Sequence, residues 1–139
     1  MTFPSINPTK TKSWQHLTQH YKSVHDIKMK DLFAQDKNRA DKFTIKWDDF
    51  YVDFSKNRIT SETFKYLLEL ADDVKLKAAI ESQFSGEIIN QTEGRAVLHT
   101  ALRNFKDAPV LVDGADVMPE IKRVLRQMKT FCASIHSGA

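Results

Sequence analysis

Apolar side chains recur at three- and four-residue spacing in three stretches of the 139-residue chain. This periodicity constrains the fold more than any other feature, because it places one apolar stripe along an α-helix. The stripes are Trp14, Leu17 and Tyr21; Phe64, Leu67, Leu68 and Ala71; and Ile121, Val124, Leu125 and Met128, extending to Phe131 and Ile135. The sequence therefore predicts a mostly α-helical chain with at least three amphipathic helices.

Capping residues set the expected limits of these helices. Ser13 is the predicted N-cap of the first, and Thr60 or Ser61 that of the helix bearing Phe64. Gly86 is the candidate left-handed residue that ends another helix near Gln83. Pro119 suits the first turn of the last helix, with Asp116 as a candidate cap. A shorter helix is predicted over residues 29–37, with Leu32 and Phe33 facing inward.

Only one region is typical of β-structure. Residues 43–47 and 50–54 are rich in aromatic and β-branched side chains, and the first run alternates apolar with polar residues. Asp48 and Asp49 lie between them and can form a turn. We predict one short β-hairpin here, and an extended piece with a turn over residues 108–114.

Composition excludes several classes of protein. The 21 basic residues are offset by 18 acidic ones, which are mostly interleaved with them, so a nucleic-acid partner is not expected. No apolar run approaches the roughly 20 residues that span a bilayer, so no membrane association is expected. The single cysteine, Cys132, cannot form an intrachain disulfide and suits a reducing compartment. We expect a cytoplasmic protein.

The histidines and the cysteine offer weak candidates for chemistry. His16 and His20 are four residues apart and would share a helix face, but no third ligand with metal-site spacing accompanies them. We therefore predict no metal site and no cofactor. Cys132 lies within the last predicted helix, where a buried small apolar side chain is the expected role.

Residues 90–104 combine a helix start with basic side chains. Thr92 can act as an N-cap, and Glu93 would favour the positive end of the helix dipole. Arg95, His99 and Arg103 recur every fourth residue and would line one side of the predicted helix. Spacing alone leaves two interpretations open: a solvated face, or arginines that clamp carboxylates or an anion through forked hydrogen bonds.

The same stretch carries the run N-Q-T-E-G-R-A-V-L-H-T-A-L-R, which closely resembles a signature of the glucose-6-phosphate isomerase family. Three further segments agree in the same order: V-D-F-S-K-N at residues 52–57, F-S-G-E-I-I-N at residues 84–90, and V-D-G-A-D-V-M-P-E at residues 112–120. The resemblance runs from about Trp14 to residue 139. Four segments in register are far more specific than one short motif.

The resemblance implies an α/β fold, an αβα sandwich of the SIS type in the full-length enzyme, of which this segment is the mostly helical N-terminal part. It implies an enzyme that interconverts glucose 6-phosphate and fructose 6-phosphate through an enediolate, as a homodimer acting on a small sugar phosphate. It also implies three regions: a flexible arm over residues 1–12, a helical and hairpin part of the large domain over residues 13–108, and a crossover with a first helix toward the small sugar-phosphate-binding domain over residues 109–139.

In the family's order, the catalytic and substrate-binding groups all lie beyond residue 139. We therefore expect no catalytic or substrate-binding residue in this segment, and expect it to be inactive and poorly folded alone, with apolar helix faces exposed. The family-motif residues Glu93, Arg95, His99 and Arg103 are assigned to scaffolding, with Arg95 paired to carboxylates of the fold, either Glu93 or one from the portion beyond this segment. The alternative is a non-catalytic helical module that binds an anion or nucleic acid through the basic stripe.

Overall fold

The computed structural model describes residues 3–106 and 108–138, and the chain divides into two compact units. The first, here called the N-terminal unit, is Ile6–Val74. The second, the C-terminal unit, combines Met1–Ser5 with Lys75–Ala139. Met1 and Thr2, at the start of the predicted arm, lie outside the described residues. The predicted division at residues 12 and 108 stays a prediction.

The N-terminal unit contains four α-helices and a hairpin. Its elements in chain order are a 3-10 helix at Pro8–Lys10, α1 at Lys12–Val24, α2 at Met29–Gln35, α3 at Arg39–Lys42, β1 at Thr44–Trp47, β2 at Phe50–Asp53 and α4 at Ser61–Asp73. The strands are antiparallel, with Thr44 opposite Asp53 and Trp47 opposite Phe50. The predicted hairpin is confirmed, with Asp48 adopting positive φ in its turn.

Helix α1 packs against α4, and polar contacts hold its start. The predicted N-cap, Ser13, is wrong by two residues, because Thr11 accepts the Trp14 backbone N–H at 3.2 Å. Ser13 is instead buried and donates its hydroxyl to the Asp73 carboxylate at 2.7 Å. A residue that resembles a cap in sequence thus joins the beginning of α1 to the end of α4.

The buried His20 forms a second contact between these helices. Its Nε2 lies 2.8 Å from the hydroxyl oxygen of Thr63, and its Nδ1 lies 3.5 Å from a carboxylate oxygen of Glu62. Thr63 also closes a capping box with Thr60, the N-cap of α4, as predicted for that position. His20 is thus engaged as a structural hydrogen-bonding group. Within residues 3–106 and 108–138, no set of three or more potential metal ligands converges.

Arg39 is the most deeply buried charged side chain of the N-terminal unit, with 3% of its surface exposed. Its Nε donates to the Ser55 carbonyl at 2.8 Å, and one terminal nitrogen donates to the carbonyls of Asn57 and Ile59 at 2.8 and 2.9 Å. The guanidinium also lies over the Phe43 ring, 4.5 Å from its centroid. One side chain therefore fixes the path of the backbone from the hairpin to α4.

The described residues of the C-terminal unit form two α-helices and short extended segments. They are α5 at Leu76–Ser85, a 3-10 helix at Ala101–Arg103, β3 at Leu111–Val112, β4 at Ala115–Asp116 and α6 at Met118–Ser137. Strands β3 and β4 form a second, very short antiparallel hairpin, where only an extended piece and a turn were predicted. Val117, with an α-helical backbone, is the N-cap of α6, and Pro119 lies in its first turn.

Gly86 ends α5 in the left-handed conformation, as predicted, with φ of 83°. A β-carbon at this position would lie 2.4 Å from the Leu111 carbonyl oxygen, far inside van der Waals contact. Both the backbone conformation and the close approach of Leu111 therefore require glycine.

The apolar stripe of α6 is not buried beyond Ile121 in this chain. The side chains from Val124 to Ile135 on that stripe are exposed, and so is Cys132, whose predicted burial is wrong. The elements of the C-terminal unit reach only the beginning of the helix, so they cannot cover its later turns. The expectation that helix faces are left exposed is confirmed. Among the helices of the described residues, none combines the length and apolarity needed to cross a membrane.

We predict that replacing Arg39 by Met in the full-length polypeptide lowers the free energy of unfolding of this region by about 2–4 kcal/mol, because buried carbonyls lose their donors. Arg39→Lys should recover only part of the loss, since one ammonium cannot reproduce the forked geometry. Thermal unfolding of the variants measures the effect.

Lys37→Met, at an exposed position two residues earlier, is the matched control and should stay within about 0.5 kcal/mol of the parent. An Arg39→Met variant that unfolds together with this control would contradict the structural role of the guanidinium.

Candidate functional site

The stretch that most resembled a functional helix, residues 90–104, does not form an α-helix. Residues 91–94 form a turn closed by an antiparallel bridge between Asn90 and Arg95, whose two backbone hydrogen bonds measure 3.2 and 3.3 Å. Only Ala101–Arg103 are helical, as one turn of 3-10 helix. The predicted helix with Thr92 as its N-cap is therefore wrong.

Local hydrogen bonds explain why the helix does not form. The Asn90 side-chain oxygen accepts the Thr92 hydroxyl at 2.8 Å and the Glu93 backbone N–H at 3.3 Å. Side chains of this kind compete with helical hydrogen bonds by satisfying nearby backbone donors themselves. Gly94 then adopts a φ of 63°, a left-handed conformation that a continuing α-helix cannot include.

Because the helix does not form, Arg95, His99 and Arg103 do not line one side of a helix. Arg95 forms an ion pair with Glu93, which confirms the expected partner, and the Asn90 amide donates to the same carboxylate oxygen at 3.2 Å. Arg103 bends back and donates to the His99 carbonyl at 2.9 Å. The structure therefore does not bring Arg95, His99 and Arg103 together as a continuous anion-binding surface.

A cavity of about 520 Å³ lies beside this turn in the C-terminal unit. Its lining is mainly apolar, with polar atoms contributed at its edge by residues of the signature; the lining residues are Asn90, Arg95, Ala96, Val97, Leu98, His99, Leu102, Val112 and Ile121. None of these described residues carries a carboxylate, so none of them can serve as a carboxylate general base. The cavity can accommodate an apolar group, and the His99 imidazole and the Arg95 guanidinium are also among its lining side chains.

The segment V-D-G-A-D-V-M-P-E shapes the entry to α6. One carboxylate oxygen of Asp116 accepts the backbone N–H groups of Val110 and Met118, at 3.2 and 3.0 Å. The N-cap of α6 is Val117, so the predicted cap, Asp116, is wrong by one residue, although its side chain still satisfies a backbone donor at the start of the helix. Glu120 then forms a forked pair with Arg123 at 2.7 and 2.6 Å, and its hydrogen bonds to that guanidinium hold the Glu120 pKa below its usual value.

The segment F-S-G-E-I-I-N forms the end of α5. Ser82 donates its hydroxyl to the Glu87 carboxylate at 2.7 Å, and the Glu87 backbone N–H donates to the Ser82 carbonyl at 3.0 Å. Together with left-handed Gly86, these bonds determine how the chain leaves the helix. The glutamate of the motif is therefore engaged within its own turn.

The segment V-D-F-S-K-N lies in the N-terminal unit, at the end of β2. Asp53 accepts the Ser55 backbone N–H at 2.8 Å, and Ser55 is buried with 1% of its surface exposed. Hydrogen bonds from the Ser55 hydroxyl and backbone N–H hold the pKa of Asp53 below its usual value. The Ser55 and Asn57 carbonyls are the acceptors of Arg39.

Arg39 was not singled out from the sequence, although it is central to this motif. An isolated arginine between two predicted elements has no spacing that marks it as buried. Across the described parts of the chain, the four motifs share one kind of role: their polar residues close turns, cap helices and satisfy backbone groups. The arrangement is that of a scaffold.

Comparison with known proteins shows the family to which the chain belongs. The family model described as phosphoglucose isomerase matches residues 53–139. The chain belongs to the phosphoglucose isomerase family. It is 52% identical over 134 residues to a protein of Christiangramia forsetii named glucose-6-phosphate isomerase. The match covers 96% of this chain and 25% of that relative, so the chain spans about a quarter of the relative's length.

We predict that Asp53 makes the stability of the N-terminal unit depend on pH. Because its pKa is lowered in the folded chain, its ionised form stabilises the fold. This contribution is fully present above the ordinary aspartate pKa of about 3.8 and is lost as pH falls through the folded-state value. Asp53→Asn should lower the thermal midpoint near neutral pH, and the difference from the parent should shrink on acidification.

Ser55→Ala removes the hydroxyl donor while retaining the backbone N–H, so it should weaken the acid dependence without abolishing it. Thermal midpoints measured from about pH 7 to about pH 3 check both variants. A difference between the parent and Asp53→Asn that does not change with pH would contradict the role assigned to the carboxylate.

Proposed function

We propose that this chain is the N-terminal portion of a glucose-6-phosphate isomerase, which interconverts glucose 6-phosphate and fructose 6-phosphate in glycolysis and gluconeogenesis. The observation that carries the proposal is the 52% identity to a protein of that name across 96% of the chain. The match to the phosphoglucose isomerase family model supports it independently of any one relative.

Exchange between an aldose and a ketose phosphate imposes definite chemical requirements. Acid/base groups must open the sugar ring, and a carboxylate must move a proton between C1 and C2 through an enediolate. Cationic groups must stabilise the developing negative charge. The phosphate requires hydroxyl or backbone N–H donors, which a helix N-terminus supplies well.

We infer that this segment contributes scaffold and that no catalytic or substrate-binding residue lies within it. In the described C-terminal unit, Glu93 is engaged with Arg95, and Glu87 with Ser82. The cavity beside the signature is lined mainly by apolar side chains, together with Asn90, Arg95 and His99, and none of these described residues carries a carboxylate. This geometry supports a role in holding the family's turns and helices in place.

The remaining expectations extend the same proposal to the whole enzyme. We propose a cytoplasmic homodimer acting on a sugar phosphate without a metal or other cofactor, and without nucleic-acid or membrane partners. The division into an arm over residues 1–12, a large-domain part over residues 13–108 and a segment over residues 109–139 leading to the small domain belongs to this proposal. An anion- or nucleic-acid-binding module is not favoured, because the helix that would align its basic side chains does not form.

The direct test compares the full-length polypeptide with the 139-residue chain in a coupled assay of fructose 6-phosphate to glucose 6-phosphate conversion. We expect activity from the former and no measurable turnover from the latter, because we propose that the catalytic groups of the enzyme lie outside this segment. Turnover by the purified 139-residue chain would overturn the scaffold assignment. An inactive but well-folded full-length polypeptide would overturn the proposed reaction.

Arg95→Ala separates a scaffold role from a substrate-binding role. The Arg95 and Glu93 side chains are both largely exposed, so their ion pair should stabilise the full-length enzyme by at most about 1 kcal/mol. We expect a small fall in the thermal midpoint and an unchanged KM for either sugar phosphate.

Glu93→Gln should cause a similar small fall, since it removes the same charge pair from the other side. A several-fold rise in KM for Arg95→Ala at an unchanged thermal midpoint would instead place the guanidinium at the substrate.

A further inference from the structure

The beginning of α4 is closed by two threonines that bond to each other. The Thr63 backbone N–H donates to the Thr60 hydroxyl oxygen at 3.1 Å, and the Thr60 backbone N–H donates to the Thr63 hydroxyl oxygen at 3.0 Å. The two hydroxyl oxygens are also 3.0 Å apart, so one hydroxyl can donate to the other. Each hydroxyl carries one hydrogen and can accept two, so this cap still has one hydroxyl hydrogen that needs an acceptor elsewhere.

His20 of α1 brings a third polar group to this cap. Its ring is buried, and Nε2 lies 2.8 Å from the Thr63 hydroxyl oxygen and 3.4 Å from that of Thr60. The other ring nitrogen, Nδ1, faces a carboxylate oxygen of Glu62 at 3.5 Å. A neutral imidazole carries its proton on only one ring nitrogen, and the partner of the other nitrogen determines which. The surroundings of the two nitrogens therefore decide the tautomer.

An unprotonated Nε2 gives every hydrogen of the cap an acceptor. The Thr63 hydroxyl donates to Nε2, and the Thr60 hydroxyl donates to the Thr63 oxygen. The Thr63 oxygen then accepts both the N–H and the O–H of Thr60, which is the full accepting capacity of a hydroxyl. Nδ1 carries the ring proton and directs it toward the Glu62 carboxylate.

The opposite tautomer satisfies fewer groups. With the proton on Nε2, the ring donates to the Thr63 oxygen, and the Thr63 hydroxyl must turn to Thr60. The Thr60 hydroxyl then has no acceptor among the described side chains of this cap, and the Nδ1 lone pair faces an ionised carboxylate, which can only accept. The Tyr66 hydroxyl donates to the other oxygen of Glu62 at 3.0 Å, and this bond raises the pKa of Tyr66, as expected beside an ionised acceptor.

We propose that His20 is the Nδ1–H tautomer and that its Nε2 accepts the Thr63 hydroxyl, which makes α1 part of the N-terminal cap of α4. The hydrogen bonds form a chain with one direction, from Thr60 through Thr63 to His20. Loss of the imidazole acceptor leaves the Thr63 hydroxyl without its partner, so the first turn of α4 opens more often. The proposal concerns the N-terminal unit and does not rest on the proposed reaction.

Nitrogen NMR of the full-length polypeptide, isotopically labelled at the ring nitrogens of histidine, tests the tautomer. At about pH 8, above the range in which histidine usually changes charge, His20 should show hydrogen on Nδ1 and none on Nε2. Free imidazole side chains favour the reverse arrangement, so the expected result differs from the default. The His20→Gln variant identifies the His20 signals by their absence. An Nε2–H tautomer at His20 would overturn the proposal.

Amide hydrogen exchange of the same polypeptide tests the coupling between the helices, because it reports local opening. His20→Leu removes the acceptor and should speed exchange at the first turn of α4, residues 61–64, by about fivefold or more. His16→Leu is the matched control, since it makes the same substitution one turn earlier on α1 at an exposed position. It should leave exchange at the start of α4 unchanged.

Two further variants separate the hydrogen bond from general damage to the unit. His20→Gln restores an acceptor and should recover part of the protection lost in His20→Leu. Thr63→Val removes the hydroxyl, so in that background His20→Leu should add little to the exchange rate. Equal exchange in His20→Leu and His16→Leu, or an equal effect of His20→Leu with and without the Thr63 hydroxyl, would overturn the coupling. If His20→Leu does not fold, the NMR measurement on the parent and exchange in His20→Gln decide.

Discussion

The backbone between the first hairpin and α4 depends on a single buried guanidinium. Arg39 brings together the carbonyls of Ser55, Asn57 and Ile59, and no carboxylate pairs with it in the described part of the chain. A buried cation is costly unless its hydrogen bonds are satisfied. Here three carbonyls and an aromatic face meet that need. The V-D-F-S-K-N motif therefore supplies backbone carbonyls that accept hydrogen bonds from Arg39, an arginine outside the motif.

Polar contacts are prominent in this chain because it buries little apolar surface. Among the described residues, the buried apolar side chains are Leu32, Phe43, Ala101 and Met118. Two polar contacts therefore orient α1 on α4: the hydrogen bond from Ser13 to Asp73 and that between His20 and Thr63. In a protein with a larger apolar core, side-chain packing would contribute more to the orientation of these helices. The exposed aromatic hairpin and the α6 stripe have the same origin. Each is an apolar surface that the described residues leave exposed.

Most of the helices and the first hairpin could be predicted, because they are determined by side-chain spacing and capping residues within each segment. The spacing of Phe64, Leu67 and Leu68, a capping threonine and a left-handed glycine located α4 and the end of α5. The hairpin followed from its strand-forming residues. The prediction was wrong for residues 92–104, although Arg95, His99 and Arg103 have helical spacing. The Asn90 side chain accepts the Glu93 backbone N–H, and Gly94 has a positive φ, so a turn forms in place of the helix. Periodicity shows that a helix would be amphipathic if it formed, but it contains no information about the stability of a competing turn.

The sequence by itself determined the family, the mostly helical character and the amphipathic design of each long helix. It did so because side-chain spacing and capping chemistry are properties of neighbouring residues. Only the three-dimensional structure decided that Arg39 is buried, that Ser13 bonds across to Asp73, and that residues 91–94 form a turn in place of a helix. It also decided which part of α6 is covered. These outcomes depend on contacts between segments distant in sequence, or on competition between local structures. The spacing of residues along the chain predicts neither of them.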